Sequence, residues 1–451
     1  MNAVLAIDFG STYTKITAIN ANKPEIIGTA KAFTTIQTDI RDGLSHATEA
    51  LLKKTGPLNV VKRIAASSAA GGLKMVAVGL VPSLTAKAAY MAACSAGAKV
   101  VKTFSYEMNH AEFDEISKIC PDLVLLSGGT DGGNKDVIIH NAKMLAKINC
   151  DFSVIIAGNK SASDEVREIL KASGKNSIIC HNVMPEFGRL NIMPAKEVIR
   201  DLFLSKIIKA KGLSDAAKLM DAEIIPTPLA VFEATQLYAE HAGDVMVIDV
   251  GGATTDVCTV CEGKPTKPDV VLKGLPEPVA KRSVEGELGM RYSLRSLVDS
   301  LDSVPKTFDD DILNELLNKI DNDPSVLMMP GTTDHGYEEM LCALGVKSAV
   351  QRHAGKLERV FTALGEGFYQ VGKDLSGIKH IIGVGGPIVY AENPGFILEH
   401  ALVKHDLPEF LKPVNPQFLI DQSYVFSAMG LYAYINRADA LQILINEVKN
   451  I

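Results

Sequence analysis

A short turn built from an acidic residue and glycine occurs twice in this chain, and it constrains the fold more than any other feature. Asp8-Phe9-Gly10-Ser11-Thr12-Tyr13-Thr14-Lys15 follows an apolar run at 3–7, and Asp249-Val250-Gly251-Gly252-Ala253-Thr254-Thr255-Asp256 follows another at 245–248. Each reads as a buried strand ending in Asp, a glycine turn with hydroxyls, and a return strand. A single copy is also the way many sheets close an edge, with Asp and Thr side chains bonding their own backbone. Two copies, with a third glycine-rich element at Gly383-Val384-Gly385-Gly386-Pro387 after another apolar run, predict a nucleotide held between two related lobes.

The chemistry of the turns supports that expectation. Gly10, Gly251 and Gly252 let the main chain approach anionic oxygens with no Cβ in the way. Successive N–H groups, Ala253 included, form an anion-binding nest, and Ser11, Thr12, Thr254 and Thr255 add hydroxyl donors. Lys15 neutralises a phosphate if its side chain faces the cleft. Carboxylates beside a polyphosphate repel it unless a divalent cation intervenes, so Asp8, Asp249 and Asp256 imply Mg²⁺, held through coordinated waters. Asp249, and after it Asp8, is the candidate to orient or deprotonate an attacking water. The element at Gly383, Gly385, Gly386 and Pro387 has no acidic residue at its tip and suits a nucleoside better than a metal. No GxxxxGK[ST] loop is present.

Composition narrows the class. With 451 residues, 47% apolar and 22% charged, the chain can bury more than one core. A net charge of −7 gives no reason to expect nucleic acid as a ligand. The stretch 71–101 is broken by Lys74, Lys87, Lys99 and Pro82, which argues against a membrane span. The start of the chain has no basic region or cleavage site, so the expected location is cytoplasmic. Seven scattered cysteines argue against a secreted disulfide framework. Cys258 and Cys261 form a CxxC inside an alternating run that sends them to opposite faces of a strand, against metal or redox chemistry. His110, His140 and His181 show no metal-ligand spacing.

Along the chain, the periodicity predicts an α/β protein with a first lobe at 1–235 and a second at 236–451. A stretch at about 76–180 has its own strand-helix rhythm and reads as a small parallel-sheet unit inserted in the first lobe. Its apolar strand at 122–126 ends in Ser127-Gly128-Gly129-Thr130-Asp131-Gly132-Gly133, either a site for an anion or a partner, or a glycine-permitted turn. In the second lobe 308–344 reads as peripheral, 348–370 as a helix, and 379–384 as a strand. The closing helix at 424–437 carries Ala428, Gly430 and Ala433, small residues that permit close backbone packing.

In order and spacing these elements resemble the actin-like ATPase superfamily of sugar kinases, Hsp70 chaperones and actin. The resemblance implies two ribonuclease-H-like lobes around ATP or ADP and Mg²⁺. Asp8 to Lys15 and Asp249 to Asp256 become the phosphate loops, and Gly383 to Pro387 the adenosine loop. Residues 226–230 become the first connector; Ala428-Met429-Gly430, on a last helix packing back toward the cleft, becomes the second. The segment 281–287 then matches a helical region in which Arg282 and Glu285 contact adenine or ribose, with a solvated helix face as the alternative.

The two phosphate turns, Val284-Glu285-Gly286-Glu287-Leu288-Gly289-Met290-Arg291, Leu126 to Gly133 and Asp421-Gln422-Ser423-Tyr424 through Leu431 are more specifically similar to the MutL/GlmL family, over essentially the whole chain. That family is the accessory, reactivating factor of adenosylcobalamin-dependent glutamate mutase and is unrelated to the mismatch-repair protein of the same name. The resemblance implies an ATP-dependent, chaperone-like release of damaged cobalamin, with the mutase or its small cobalamin-binding subunit as partner. The competing expectations are a small-molecule kinase of the same fold and an ATP-gated scaffold or filament protein. No Asp-x-His-x-x-Gly stretch for base-off cobalamin is present.

Overall fold

A computed structural model describes residues 1–10, 12–34, 39–68, 74–207, 213–267, 269–301, 307–362, 365–404 and 408–451. The first apolar run forms β1 (Asn2–Phe9), which turns back antiparallel into β2 (Tyr13–Asn20) and β3 (Ile26–Phe33). After the helix Ile40–Thr55, β4 (Asn59–Ser67) returns parallel to β1. The β1 side chains are buried on both faces from Ala3 to Phe9, as expected for a strand covered on both sides.

The chain then forms a separate compact unit, residues 72–208 with 274–276. Its strands β5 (Lys74–Gly79), β6 (Lys99–Ser105), β7 (Leu123–Leu126), β8 (Ser153–Ile156) and β9 (Ser177–Ile179) make a parallel sheet in the order β6-β5-β7-β8-β9. This is a doubly wound arrangement, with a core of Val76, Val124, Leu126, Val154 and Ile156 against Ile116, Ile138 and Val166. Cys120 and Cys150 in this unit are disulfide-bonded, their Cα atoms 5.9 Å apart; the sequence reading had not paired them.

Residues 1–71, 209–273 and 277–451 make the other unit. Here β10 (Ile225–Pro226) adds parallel to β4 and completes the sheet β3-β2-β1-β4-β10. The helix Thr227–Ala242 leads directly to β11 (Val245–Val250), whose hairpin partner is β12 (Thr255–Val260). Next come β13 (Val270–Leu272), β14 (Ala280–Glu285), and the hairpin β15 (Lys356–Thr362) and β16 (Gly365–Val371). Then follow β17 (His380–Val384), β18 (Gln417–Asp421) and β19 (Val448–Asn450).

The second main sheet runs β14-β12-β11-β17-β18-β19. Its first five strands repeat the order and directions of the first sheet: two successive antiparallel pairings on one side of the central strand, two parallel pairings on the other. The protein therefore has the two-lobe α/β fold of the actin and Hsp70 type. Helices Thr227–Ala242 and Phe426–Tyr432 pack together, and their apolar residues share one core with Val4 and Ala6 of β1 and Val247 and Ile382 of the second sheet. Gly430 lies against the Ala230 backbone so closely that any side chain there would run into the Ala230 carbonyl.

Three expectations are corrected. The helix read at 424–437 is Phe426–Tyr432, and a separate helix, Arg437–Glu447, follows it. Residues 348–370 are not one helix. The helix is Thr333–His353, and beyond it Gly355 and Gly365 bracket strand β15 and open β16. Residues 281–287 are not helical, because β14 pairs with β12 from Val260↔Ala280 to Thr255↔Glu285. Residues 308–344 include an amphipathic helix, Asp310–Asn322, that buries Leu313, Leu316, Leu317 and Ile320. Cys258 and Cys261 enter two different core clusters, on opposite faces of the sheet, as the alternation implies. Among the described residues no helix is long and apolar enough to cross a membrane.

Candidate functional site

Both acidic-glycine turns have one geometry. Gly10 N–H donates to Tyr13 O at 3.1 Å, and Gly251 N–H to Thr254 O at 2.9 Å. In the flanking hairpins Asp8 pairs with Lys15, and Asp249 pairs with Asp256. Lys15 and Asp256 thus hold equivalent positions in the two lobes, one cationic and one anionic. The turns face each other across the lobes. Thr12 Oγ1 is 3.5 Å from the point where a side chain on Gly252 would begin.

Asp8 is buried and accepts a hydrogen bond from Thr227 Oγ1 at 2.6 Å, with Ser427 Oγ 3.4 Å from its other oxygen. Thr227 opens the helix joining the lobes, and Ser427 lies in the closing helix, so both connectors end on the first acidic turn. Lys15 lies deep in the cleft. Burial lowers its pKa, while Asp8, Asp249, Tyr390 and Asp421 hold it up. The Asp249 carboxyl is pushed up to about 7, first by burial and then by repulsion from Asp256 and Asp8, against the pull of Lys15 and Arg282. Asp421 is fully buried and caps the closing helix through bonds from Val425 N–H at 2.9 Å and Phe426 N–H at 2.7 Å. Burial raises it to about 6 despite those bonds.

The third glycine element meets the second turn directly. Gly385 has φ +90°, and a Cβ there would lie 2.8 Å from Asp249 Oδ1 and collide with the Val250 carbonyl. Gly383 ends within β17, Gly386 opens the short helix Gly386–Val389, and Pro387 occupies its first turn. Behind the second turn, Met290 N–H donates to Gly251 O, and the Arg291 and Tyr292 N–H groups donate to Gly252 O. Ser293 Oγ donates to Ala253 O at 2.9 Å.

Other candidates have different partners. Asp256 is buried and accepts from Arg282 at 2.7 Å, with Thr254 Oγ1 at 3.1 Å on its second oxygen. Arg282, on β14, is 4% exposed and turned to that carboxylate, where the sequence had suggested adenine or ribose. Glu285 pairs with Arg352 at 2.6 Å, and burial raises its pKa. Thr255 Oγ1 is committed to Leu288 O at 2.6 Å. Ser11 lies outside the described residues. Sequence reasoning missed Thr227, Asp421, Arg291 and the tyrosines Tyr390 and Tyr424. Asp421, Tyr424 and Arg291 were visible as parts of motifs and Thr227 lay within the first connector, but their partners are remote in sequence.

The residues fit a magnesium-bound polyphosphate better than a bare metal. Among the described residues no group of three or more His, Cys, Asp or Glu side chains could hold a metal directly. The carboxylates of Asp8 and Asp249 do face the same lysine, and backbone turns with no side chain in the way lie beside them. Comparison with known proteins decides the family: the model described as MutL protein matches residues 4–448. The chain belongs to the MutL family. The MutL protein of Clostridium tetanomorphum is 44% identical over 444 residues, covering 96% of each chain. Membership carries the function that the motifs implied, a reactivating factor of an adenosylcobalamin-dependent mutase, and it places this MutL chain in a superfamily of ATPases.

Among solved structures, nucleotide-free acetone carboxylase is 15% identical at a TM-score of 0.42, over 96% of this chain and 70% of that one. The activator of 2-hydroxyisocaproyl-CoA dehydratase from Clostridium difficile is 12% identical at 0.31, over 100% and 99%. Xylulose kinase from Lactobacillus acidophilus is 10% identical at 0.36, over 100% and 93%. The fold of this MutL chain rests on its own two sheets.

Proposed function

We propose that this chain is a slow, Mg²⁺-dependent ATPase of the cytoplasm whose nucleotide cycle drives release of damaged cobalamin from its partner mutase, glutamate (methylaspartate) mutase or its small cobalamin-binding subunit. The lobes are read as 1–235 and 236–451. The observation that carries the reading is the meeting of Asp8, Asp249 and Lys15 between two turns of one geometry. Magnesium bound with the nucleotide supplies charge neutralisation of the terminal phosphates.

The backbone N–H groups of Thr12, Gly252 and Ala253, with the Thr12 hydroxyl, bind the phosphate oxygens, while the Gly10 and Gly251 N–H groups close the two turns. Asp8 and Asp249 would hold the ion through its waters. Asp249, at the end of the strand that leads into the second turn, is placed to orient the attacking water and accept its proton. Gly385 and Gly386 place the nucleoside beside Asp249. Arg282 fixes Asp256, and through β12 the end of the second turn.

The test is ATP turnover by the purified protein with Mg²⁺, alone and with cobalamin-inactivated glutamate mutase. Basal turnover stimulated by the inactivated mutase supports the reading. Turnover seen only with a small-molecule acceptor, matched by phosphorylated product, makes the protein a kinase. Sedimenting assemblies formed on ATP loading without turnover point to a filament protein.

A further inference from the structure

Four residues of the first lobe stand on one face of the β2–β3 hairpin. Tyr13 is directly opposite Phe33 and Lys15 directly opposite Lys31, and residues two apart on a strand share a face. Two lysines facing each other across a hairpin repel, and sheets ordinarily avoid the pair. Here each lysine sits on an aromatic ring of the second lobe. Lys15 Nζ is 3.6 Å from the centre of Tyr424, and Lys31 Nζ is 4.4 Å from Tyr390 and 5.1 Å from Tyr13. The rings of Tyr390 and Tyr424 are within 5° of parallel, with centres 6.3 Å apart.

Tyr390 follows the helix of the adenosine loop, and Tyr424 follows β18 with φ +56°, a left-handed conformation rare for a tyrosine. Its N–H is held by Asp421 O at 3.0 Å. The strained backbone therefore fixes where the ring points.

A ring face attracts an ammonium group less strongly than a phosphate oxygen, which takes a charge-assisted hydrogen bond. We propose that Lys15 and Lys31 form a two-cation clamp for the phosphate chain of the nucleotide, resting on Tyr424 and Tyr390 until that chain is bound. Lys31 is then a nucleotide-binding residue outside both phosphate turns, and the tyrosine pair registers occupancy. This rests on the reading of the cleft as a nucleotide site. Two adjacent cations favour a di- or triphosphate over a nucleoside, which gives the clamp its own signature.

The chain contains 11 tyrosines and no tryptophan, so tyrosine emission is directly readable. ADP and adenosine are titrated into the wild type, Lys31→Ala, Lys31→Arg and Tyr390→Ala, by calorimetry and tyrosine emission. The expected result is a loss of about tenfold in ADP affinity for Lys31→Ala, about 1.4 kcal/mol, with adenosine unchanged and Lys31→Arg near wild type. Tyr390→Ala should bind ADP at least as tightly as wild type and lose part of the emission change. Because Lys31 is exposed, its variants should fold, which thermal unfolding checks. Wild-type ADP affinity in Lys31→Ala, or equal losses for ADP and adenosine, would overturn the clamp while the cleft reading stands. Failure of the wild type to bind ADP overturns the cleft reading and the clamp with it.

Discussion

The Thr227 hydroxyl donates to the Asp8 carboxylate at 2.6 Å, tying the first acidic turn to the first residue of the helix that leads to the second lobe. A nucleotide that loads the Asp8 turn therefore acts on an element shared by both lobes.

Replacing Thr227 with Val removes this bond and leaves a buried carboxylate short of a donor. The expected cost is about 1–3 kcal/mol of stability, together with weaker Mg·ADP binding. Urea unfolding and ADP titration of the variant check both parts.

The packing of the two connecting helices predicts a separate loss of stability. Gly430→Ala places a methyl group on the Ala230 carbonyl, and neither partner is the end of a flexible side chain. The helices must separate, at a cost of about 1–3 kcal/mol or more. Gly56→Ala also introduces a methyl, but into open space at positive φ, and so measures backbone strain without a clash. A larger loss for Gly430→Ala assigns the difference to helix packing.

Asp249 predicts a pH dependence of the nucleotide-free protein. Its pKa is raised from 3.8 to about 7, so the folded state binds more protons than the unfolded state between those values. Its contribution to stability therefore falls as pH rises through that window. Asp249→Asn should flatten this part of the profile. Near pH 6.5, Mg·ADP binding should release a proton, read as a dependence of the calorimetric heat on buffer ionisation.

His353 contributes with the opposite sign. It is fully buried between Thr259 Oγ1 at 2.9 Å and Ser283 Oγ at 2.7 Å, and burial, followed by Lys281 and Lys373, drives its pKa well below 6.5. The unfolded chain takes up a proton below about 6.5 that the folded chain refuses, so this contribution is lost as pH falls below 6.5. Unfolding midpoints from pH 7.5 to 5 for the wild type and His353→Gln separate it from the Asp249 effect.

Much of the fold was legible because its signals are local. An apolar run, an acid, a glycine turn and a return strand lie within a dozen residues, and their repetition gave two lobes. The small residues around Gly430 announced a close helix crossing before its partner, Ala230, was known. The misread segments are those in which tertiary pairing overrides local pattern. Residues 281–287 are charged like a helix surface, yet β12 takes 281–285 as an edge strand and buries Arg282 on Asp256. Residues 356–371 carry β-branched and aromatic residues whose hairpin was obscured by helical spacing upstream. The Thr227–Asp8 bond and the lysine–tyrosine contacts join residues hundreds of positions apart, so no window of sequence contains them.

The most direct test of the account is recovery of activity by cobalamin-inactivated glutamate mutase incubated with this protein, Mg²⁺, ATP and fresh adenosylcobalamin. The account predicts recovery that requires ATP hydrolysis and is lost in Asp249→Ala, although that variant still folds. Recovery that is equal without ATP, or unchanged in Asp249→Ala, would contradict it.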